Sequence, residues 1–245
     1  MSRNFQELDH ARTRYGELVL RRRRVLSLGG REVYEVTLGG QFLMSSLVNA
    51  SEIALAERGL AALAPGTWDV VVGGLGLGCT AAAALDDPSV RSLLVVESLP
   101  EVLAWHDRRL VPLGERLVTD ARCRLVQGDF FERARSADGF DPEAPGRRFD
   151  AVLLDIDHAP GGLLHGSHAD LYEPDGLRRL AAHLRPGGVF ALWSCDPPDA
   201  AFTGTLGAAF SKAEAHAVVF ENPLLDREDV NTIYVATCGA RPSRR

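Results

Sequence analysis

Residues 69–87 read DVVVGGLGLGCTAAAALDD. Three valines lead into a loop in which Gly74, Gly76 and Gly78 alternate, and an alanine-rich run follows. A short apolar strand, a glycine turn and a helix form the opening unit of a sheet that binds ligands at its strand ends. Glycines after a strand also serve tight turns, so this unit needs support from elsewhere in the chain.

Downstream the same alternation repeats. SLLVVE (92–97), CRLVQGD (123–129), FDAVLLDID (149–157) and VFALWS (189–194) read as apolar strands, with helices expected over 99–110, 173–184 and 199–214. AVVFE (217–221) and NTIYVAT (231–237) read as two last strands. Apolar strands alternating with helices predict a Rossmann-like, doubly wound α/β fold, with a mostly parallel sheet of seven strands buried on both faces.

Upstream the pattern is different. Residues 1–15 are polar and read as a loose or helical arm. GELVLRRR (16–23), REVYEVTL (31–38) and QFLMSS (41–46) read as a small antiparallel β-meander with glycine-pair turns. The run Arg21–Arg24 suits the exposed end of an edge strand. SEIALAERGLAALA (51–64) reads as a helix stopped by Pro65-Gly66. The expected division is an arm and meander over 1–50, a Rossmann-like domain over 51–240 and a tail over 241–245.

The 245 residues carry a formal net charge of −6 and are 46% hydrophobic. That acidity argues against a general nucleic-acid binder and suits a small cationic partner. No apolar run is long enough to span a membrane and the N-terminus lacks a signal-peptide core, so the expected location is cytoplasmic. Cys79, Cys123, Cys195 and Cys238 are far apart, which suits isolated thiols rather than zinc.

Four features fall at strand ends: the glycine loop, Glu97, Asp129, and the pair Asp155 and Asp157. Glu97 lies 19 residues beyond Gly78, the spacing at which a carboxylate meets ribose hydroxyls. The loop is G-x-G-x-G and lacks the last glycine of the dinucleotide fingerprint, which favours a nucleoside without pyrophosphate. On an extended strand Asp155 and Asp157 would point the same way, into one pocket. His158, His165, His168 and Asp170 share one segment after the fourth strand. It reads as a lid over the ligand or as plain surface, and its irregular spacing disfavours a metal site.

VVVGGLGLG, VVES, QGDFFE, FDAVLLDID and LRPGGVFALWS together resemble the successive motifs of class I S-adenosylmethionine-dependent transferases, which share the class I methyltransferase fold. Within that group, residues 30–237 most resemble the spermidine synthase (polyamine aminopropyltransferase) family, including its N-terminal meander. The resemblance implies that Gly74, Gly76 and Gly78 let the backbone approach the nucleoside and sulfur end of S-adenosylmethionine or its decarboxylated form. It implies that Glu97 holds the ribose diol and that Asp129 meets the adenine amino group, with Phe130 beside it. Asp155 occupies the place of the family's catalytic aspartate, with Asp157 as a second acid, and His158 and Tyr172 fall on the acceptor side. The implied reaction is alkylation of a small amine without a metal, by a chain that pairs as a homodimer.

Three departures qualify that reading. Gly76 stands where the family has an aspartate that anchors the donor's amine. Asp155 and Asp157 are two residues apart where the family's pair is three apart. The family's tyrosine-histidine-glutamate element is replaced by ASEIALAE (50–57), leaving Glu52 or Glu57 as its acid. The alternatives are a small-molecule methyltransferase and a catalytically silent nucleoside-binding protein.

Overall fold

A computed structural model describes residues 4–239 of the chain; the expected tail over 241–245 lies outside them. The N-terminal part is a four-stranded antiparallel sheet of β1 (Phe5–Thr13), β2 (Gly16–Val25), β3 (Arg31–Leu38) and β4 (Gln41–Ser45), in that spatial order. The expected loose or helical arm is therefore a strand. Its backbone pairs with β2, Phe5 opposite Arg23 and Thr13 opposite Gly16.

That pairing also corrects the edge-strand reading of the arginine run, because β2 lies between β1 and β3. Arg21 and Arg23, two apart on one strand face, both reach Glu35 on β3, at 2.8 and 2.7 Å. Glu35 is buried, and two guanidiniums compensate its charge.

The chain then forms α1 (Ala50–Ala61), β5 (Trp68–Gly73), α2 (Cys79–Asp86), β6 (Val90–Glu97), α3 (Pro100–Asp107), α4 (Gly114–Thr119), β7 (Cys123–Gln127) and α5 (Phe130–Arg135). It continues with β8 (Phe149–Leu154), a 3₁₀ segment at Gly166–Tyr172, α6 (Pro174–Ala181), β9 (Leu184–Ser194), α7 (Ala200–Gly207), β10 (Lys212–Asn222) and β11 (Arg227–Thr237). The short helices α4 and α5 lie in stretches where the sequence showed no clear periodicity. The last two strands are longer than expected because they pair with each other along their whole length, Lys212 opposite Thr237 through Asn222 opposite Arg227.

The second sheet has the order β10-β11-β9-β8-β5-β6-β7. Strands β9, β8, β5, β6 and β7 run parallel, while β11 is antiparallel to both of its neighbours. Alternate residues feed two cores. Val70, Val72, Leu153 and Ala191 pack on one face with α1 and α2, and Val71, Leu154, Phe190 and Leu192 pack on the other. Burial on both faces explains why these strands read as continuous apolar runs. The N-terminal sheet joins the first of these cores through Leu18, Leu20 and Val36, and Trp105 Nε1 on α3 donates to Asp9 on β1 at 2.7 Å.

After β5 the chain winds outward through β6 and β7, then returns to lay β8 on the other side of β5. The crevice between the ends of β5 and β8 is the switch point at which such sheets bind ligands.

Candidate active site

A cavity of about 610 Å³ lies at that switch point, roofed by β3, β4 and the β10–β11 hairpin. Its lining includes Gly74, Gly76, Glu97, Asp129, Phe130, Asp155 and His158. The separate strand ends named from sequence thus share one space.

The glycine loop is held from all sides. Gly74, Gly76 and Gly78 have φ values of +92, +48 and +90°, a region that favours glycine. A Cβ on Gly74 would lie 2.1 Å from the Asp155 carbonyl oxygen, one on Gly76 2.9 Å from Met44 Sδ, and one on Gly78 2.7 Å from Leu117. The side chains are absent here because protein occupies their space, and not only to admit a ligand. Gly78 does not line the cavity; it serves as the N-cap of α2. Below the loop, the buried His106 donates from Nε2 to the Gly76 carbonyl at 2.9 Å, and burial lowers its pKa toward the neutral ring.

Glu97, at the end of β6, is buried and accepts from the backbone N–H groups of Leu75 (3.0 Å) and Leu99 (2.9 Å). Burial pushes its carboxyl pKa up, and these backbone donors oppose the rise. The same bonds tie the glycine loop to the start of α3. Asp129 caps α5, accepting from Phe131 N and Glu132 N, and its other oxygen receives Arg14 from the β1–β2 turn at 3.2 Å. Phe130 is buried with its ring stacked on Phe140 at 4.8 Å, so only part of it faces the cavity.

The two aspartates after β8 part company. The strand stops at Leu154, so the alternation expected of Asp155 and Asp157 does not extend to them. Asp155 lines the cavity and accepts from Thr80 Oγ1 at 2.7 Å. Asp157 is buried beneath the next loop, where it accepts from Leu164 N at 2.7 Å and from the Tyr172 hydroxyl at 2.8 Å, and meets His168 Nδ1 at 2.8 Å. Neither Asp157 nor Tyr172 lines the cavity. The expectation that both acids face one pocket, with Tyr172 on the acceptor side, is corrected: Asp157 and Tyr172 pin the segment after β8. His168 belongs to that anchor and stacks on Phe131 at 3.7 Å. Among the described residues no three His, Cys, Asp or Glu side chains are placed to hold a metal ion.

The second acid of the cavity is Glu52, in the first turn of α1. Glu57 is exposed on the same helix and takes no part. Burial first, and then the charge of Asp155, push the Glu52 carboxyl up to about 7. Burial pushes Asp155 up to about 6 against the opposing Thr80 bond. Two carboxyls that resist simultaneous ionisation form a site for one proton or one cation. Ser51 Oγ donates to Glu52 at 2.8 Å and accepts from Asn231 Nδ2 on β11 at 2.9 Å. Thr80, Ser51, Asn231 and Met44 carried no signal in the sequence, since each lies in an ordinary helix or strand stretch and meets the site through tertiary packing alone.

No family model matches the chain. Over 162 residues it is 33% identical to a protein named polyamine aminopropyltransferase 2 from Streptomyces coelicolor, a match covering 61% of this chain and 26% of that protein. The match thus spans about a quarter of the curated relative's length. Among solved structures, a spermidine synthase in complex with the transition-state analogue AdoDATO superposes with a TM-score of 0.73 at 17% identity, covering 97% of this chain and 75% of that one. The spermidine synthase of Thermotoga maritima gives 0.71 at 16% identity, covering 98% and 75%. A probable spermidine synthase from Corynebacterium glutamicum gives 0.62 at 16% identity, covering 95% and 79%. At 16–17% identity over nearly the whole chain, these likenesses show that the chain shares the fold of the spermidine synthases, and part of it is similar in sequence to a polyamine aminopropyltransferase.

Proposed function

We propose that the chain is a transferase that alkylates a small amine, using decarboxylated S-adenosylmethionine or S-adenosylmethionine itself. The observation that carries this reading is the placement of Glu97, Asp129, Glu52 and Asp155 around one cavity at the switch point of the sheet. Glu97 suits a ribose diol because a carboxylate accepts from two hydroxyls. Asp129 suits the adenine amino group once Arg14 moves aside. The relatives' names supply the reaction type, and this chain's own acids supply the groups it needs.

The sulfonium compound contributes an activated carbon and a neutral thioether leaving group. The amine lone pair forms the new C–N bond while the C–S electron pair returns to sulfur, so no acid is required at the leaving group. Positioning then carries most of the catalysis, up to ~7–11 kcal/mol in favourable cases. Asp155 orients the amine and takes its proton, a role worth ~10²–10⁴-fold. Glu52 replaces Asp157 as the second acid, holding the amine as a cation before that transfer. The four free cysteines suit a reducing, cytoplasmic setting.

One observation favours a methyltransferase as the second reading. Met44 covers Gly76, where the family's aspartate would anchor the donor's amine. Thermal shift with two nucleosides separates the readings, since a ligand at 100 times its Kd adds ~2.7 kcal/mol of stability. Preference for methylthioadenosine supports aminopropyl transfer, and preference for S-adenosylhomocysteine supports methyl transfer. No response to either leaves the silent nucleoside-fold reading. Glu97→Ala should weaken nucleoside binding at least tenfold by calorimetry; unchanged affinity would remove the ribose assignment.

A further inference from the structure

Five carboxylates line the cavity and no lysine or arginine does. Three of the five are already engaged. Glu35 holds Arg21 and Arg23, Glu97 receives two backbone N–H groups, and Asp129 caps α5 and meets Arg14. Glu52 and Asp155 meet hydroxyls, from Ser51 and Thr80, and no cation among the described residues; Thr80 Oγ1 reaches both residues, 2.7 Å from the Asp155 carboxylate and 3.5 Å from the Glu52 carbonyl, so the two acids line the cavity side by side as a single cation site.

The remaining wall has the opposite character. Glu97 and Asp129 follow β6 and β7, on one side of β5 and β8. On the other side stand β9, β11 and β10. There the hairpin contributes Phe220, Leu224 and Leu225, with Phe42 and Met44 of β4 also lining the cavity; the hairpin's two lining amides, Asn222 and Asn231, already donate to Asp229 and Ser51. Phe42, Leu224 and Leu225 are three of the seven large apolar side chains left exposed among the described residues. Exposed apolar side chains gathered at one cavity mouth mark a surface that a ligand covers. The hairpin's acids do not serve the cavity: Glu221, Asp226, Glu228 and Asp229 do not line it, and Asp229 holds Arg227 at 2.9 Å and Asn222 at 2.7 Å.

Resting on the amine-transfer reading above, we propose that the acceptor is a primary amine with one cationic head and an apolar body. The head sits on Glu52 and Asp155, and the body lies along Phe220, Leu224, Leu225 and Phe42. A second ammonium at the far end of the acceptor would meet no carboxylate along this wall and would replace the apolar contact that the body of a monoamine makes there. The cavity therefore selects against a chain carrying charge at both ends.

Calorimetric titration of the full chain, saturated with methylthioadenosine, compares 2-phenylethylamine with 1,4-diaminobutane. The expected result is at least tenfold tighter binding of 2-phenylethylamine. Leu224→Asp, a change at an exposed position, places a carboxylate on the apolar wall and should move the ratio at least tenfold toward the diamine. Equal or tighter binding of the diamine by the unaltered chain overturns the proposal, as does a ratio untouched by Leu224→Asp. Binding of methylthioadenosine without either amine, or self-association that buries the hairpin and blocks both, also overturns it while leaving the nucleoside site standing. Where methylthioadenosine does not bind, the same titration is run on the chain saturated with S-adenosylhomocysteine; failure of both nucleosides to bind removes the transferase reading and this proposal together.

Discussion

Thr80→Val tests the proposed base without touching it. The substitution keeps the shape of the side chain and removes the hydroxyl that donates to Asp155 at 2.7 Å. A hydrogen bond to a charged group is worth ~1.5–3 kcal/mol, and one pKa unit corresponds to ~1.36 kcal/mol. Loss of the bond should therefore raise Asp155 from about 6 by ~1–2 units. At pH 7 the ionised fraction would fall from ~90% to between ~50% and ~10%, so kcat/KM should drop ~2–9-fold by that arithmetic. Above about pH 9 the rate should recover, because the base is then ionised in both proteins. The assay is the pH profile of kcat/KM between pH 5 and 10, with thermal melting as a control for folding. An acid limb that stays in place, or a deficit of equal size at every pH, would refute the assignment of Asp155 as base.

Three further outcomes follow from the same geometry. Asp155 binds its proton more tightly folded than unfolded, so stability should fall as pH rises from about 4 to about 6 and then level off. Asp155→Asn removes that penalty. The ideal gain of ~3 kcal/mol shrinks to about 1–2 because Asp155 keeps some exposure to the cavity, and a thermal melt at pH 7.5 should rise accordingly. Asp157→Asn should cost about 3 kcal/mol, lowering Tm by roughly 6–12 °C, since it disrupts a buried set of bonds to Leu164, His168 and Tyr172; lost turnover with an unchanged Tm would restore Asp157 as a catalytic acid. Gly74→Ala should prevent stable folding, because its Cβ would meet the Asp155 carbonyl at 2.1 Å. A soluble variant melting within a few degrees of the parent would contradict the packing described for this loop.

The fold was readable because its signals are local. Val70–Val72, Leu93–Val96 and Val152–Leu154 are buried on both faces, and this shows in the sequence as unbroken apolar runs. The glycine turn after Val72 and the acids at strand ends follow from the same short-range pattern. β1 escaped notice because its side chains are largely exposed and only its backbone pairing with β2 makes it a strand. The arginine run misled for a related reason: a strand's position in a sheet depends on which neighbours pair with it, and Glu35 lies on another strand.

Periodicity along one segment was enough to establish the doubly wound sheet and the placement of Gly74, Glu97, Asp129 and Asp155 at its strand ends, while the switch point came from the strand order. It did not extend to which acids work together. Asp155 and Asp157 are two residues apart, yet the chain turns after Leu154 and sends one carboxylate into the cavity and the other beneath a loop. Glu52 comes from a helix 103 positions earlier in the chain than Asp155 and reaches it because α1 packs on β8 and β9. Charge pairing between distant segments follows side-chain direction and burial, which are set when helices and sheets pack and leave no trace in the spacing of residues along the chain.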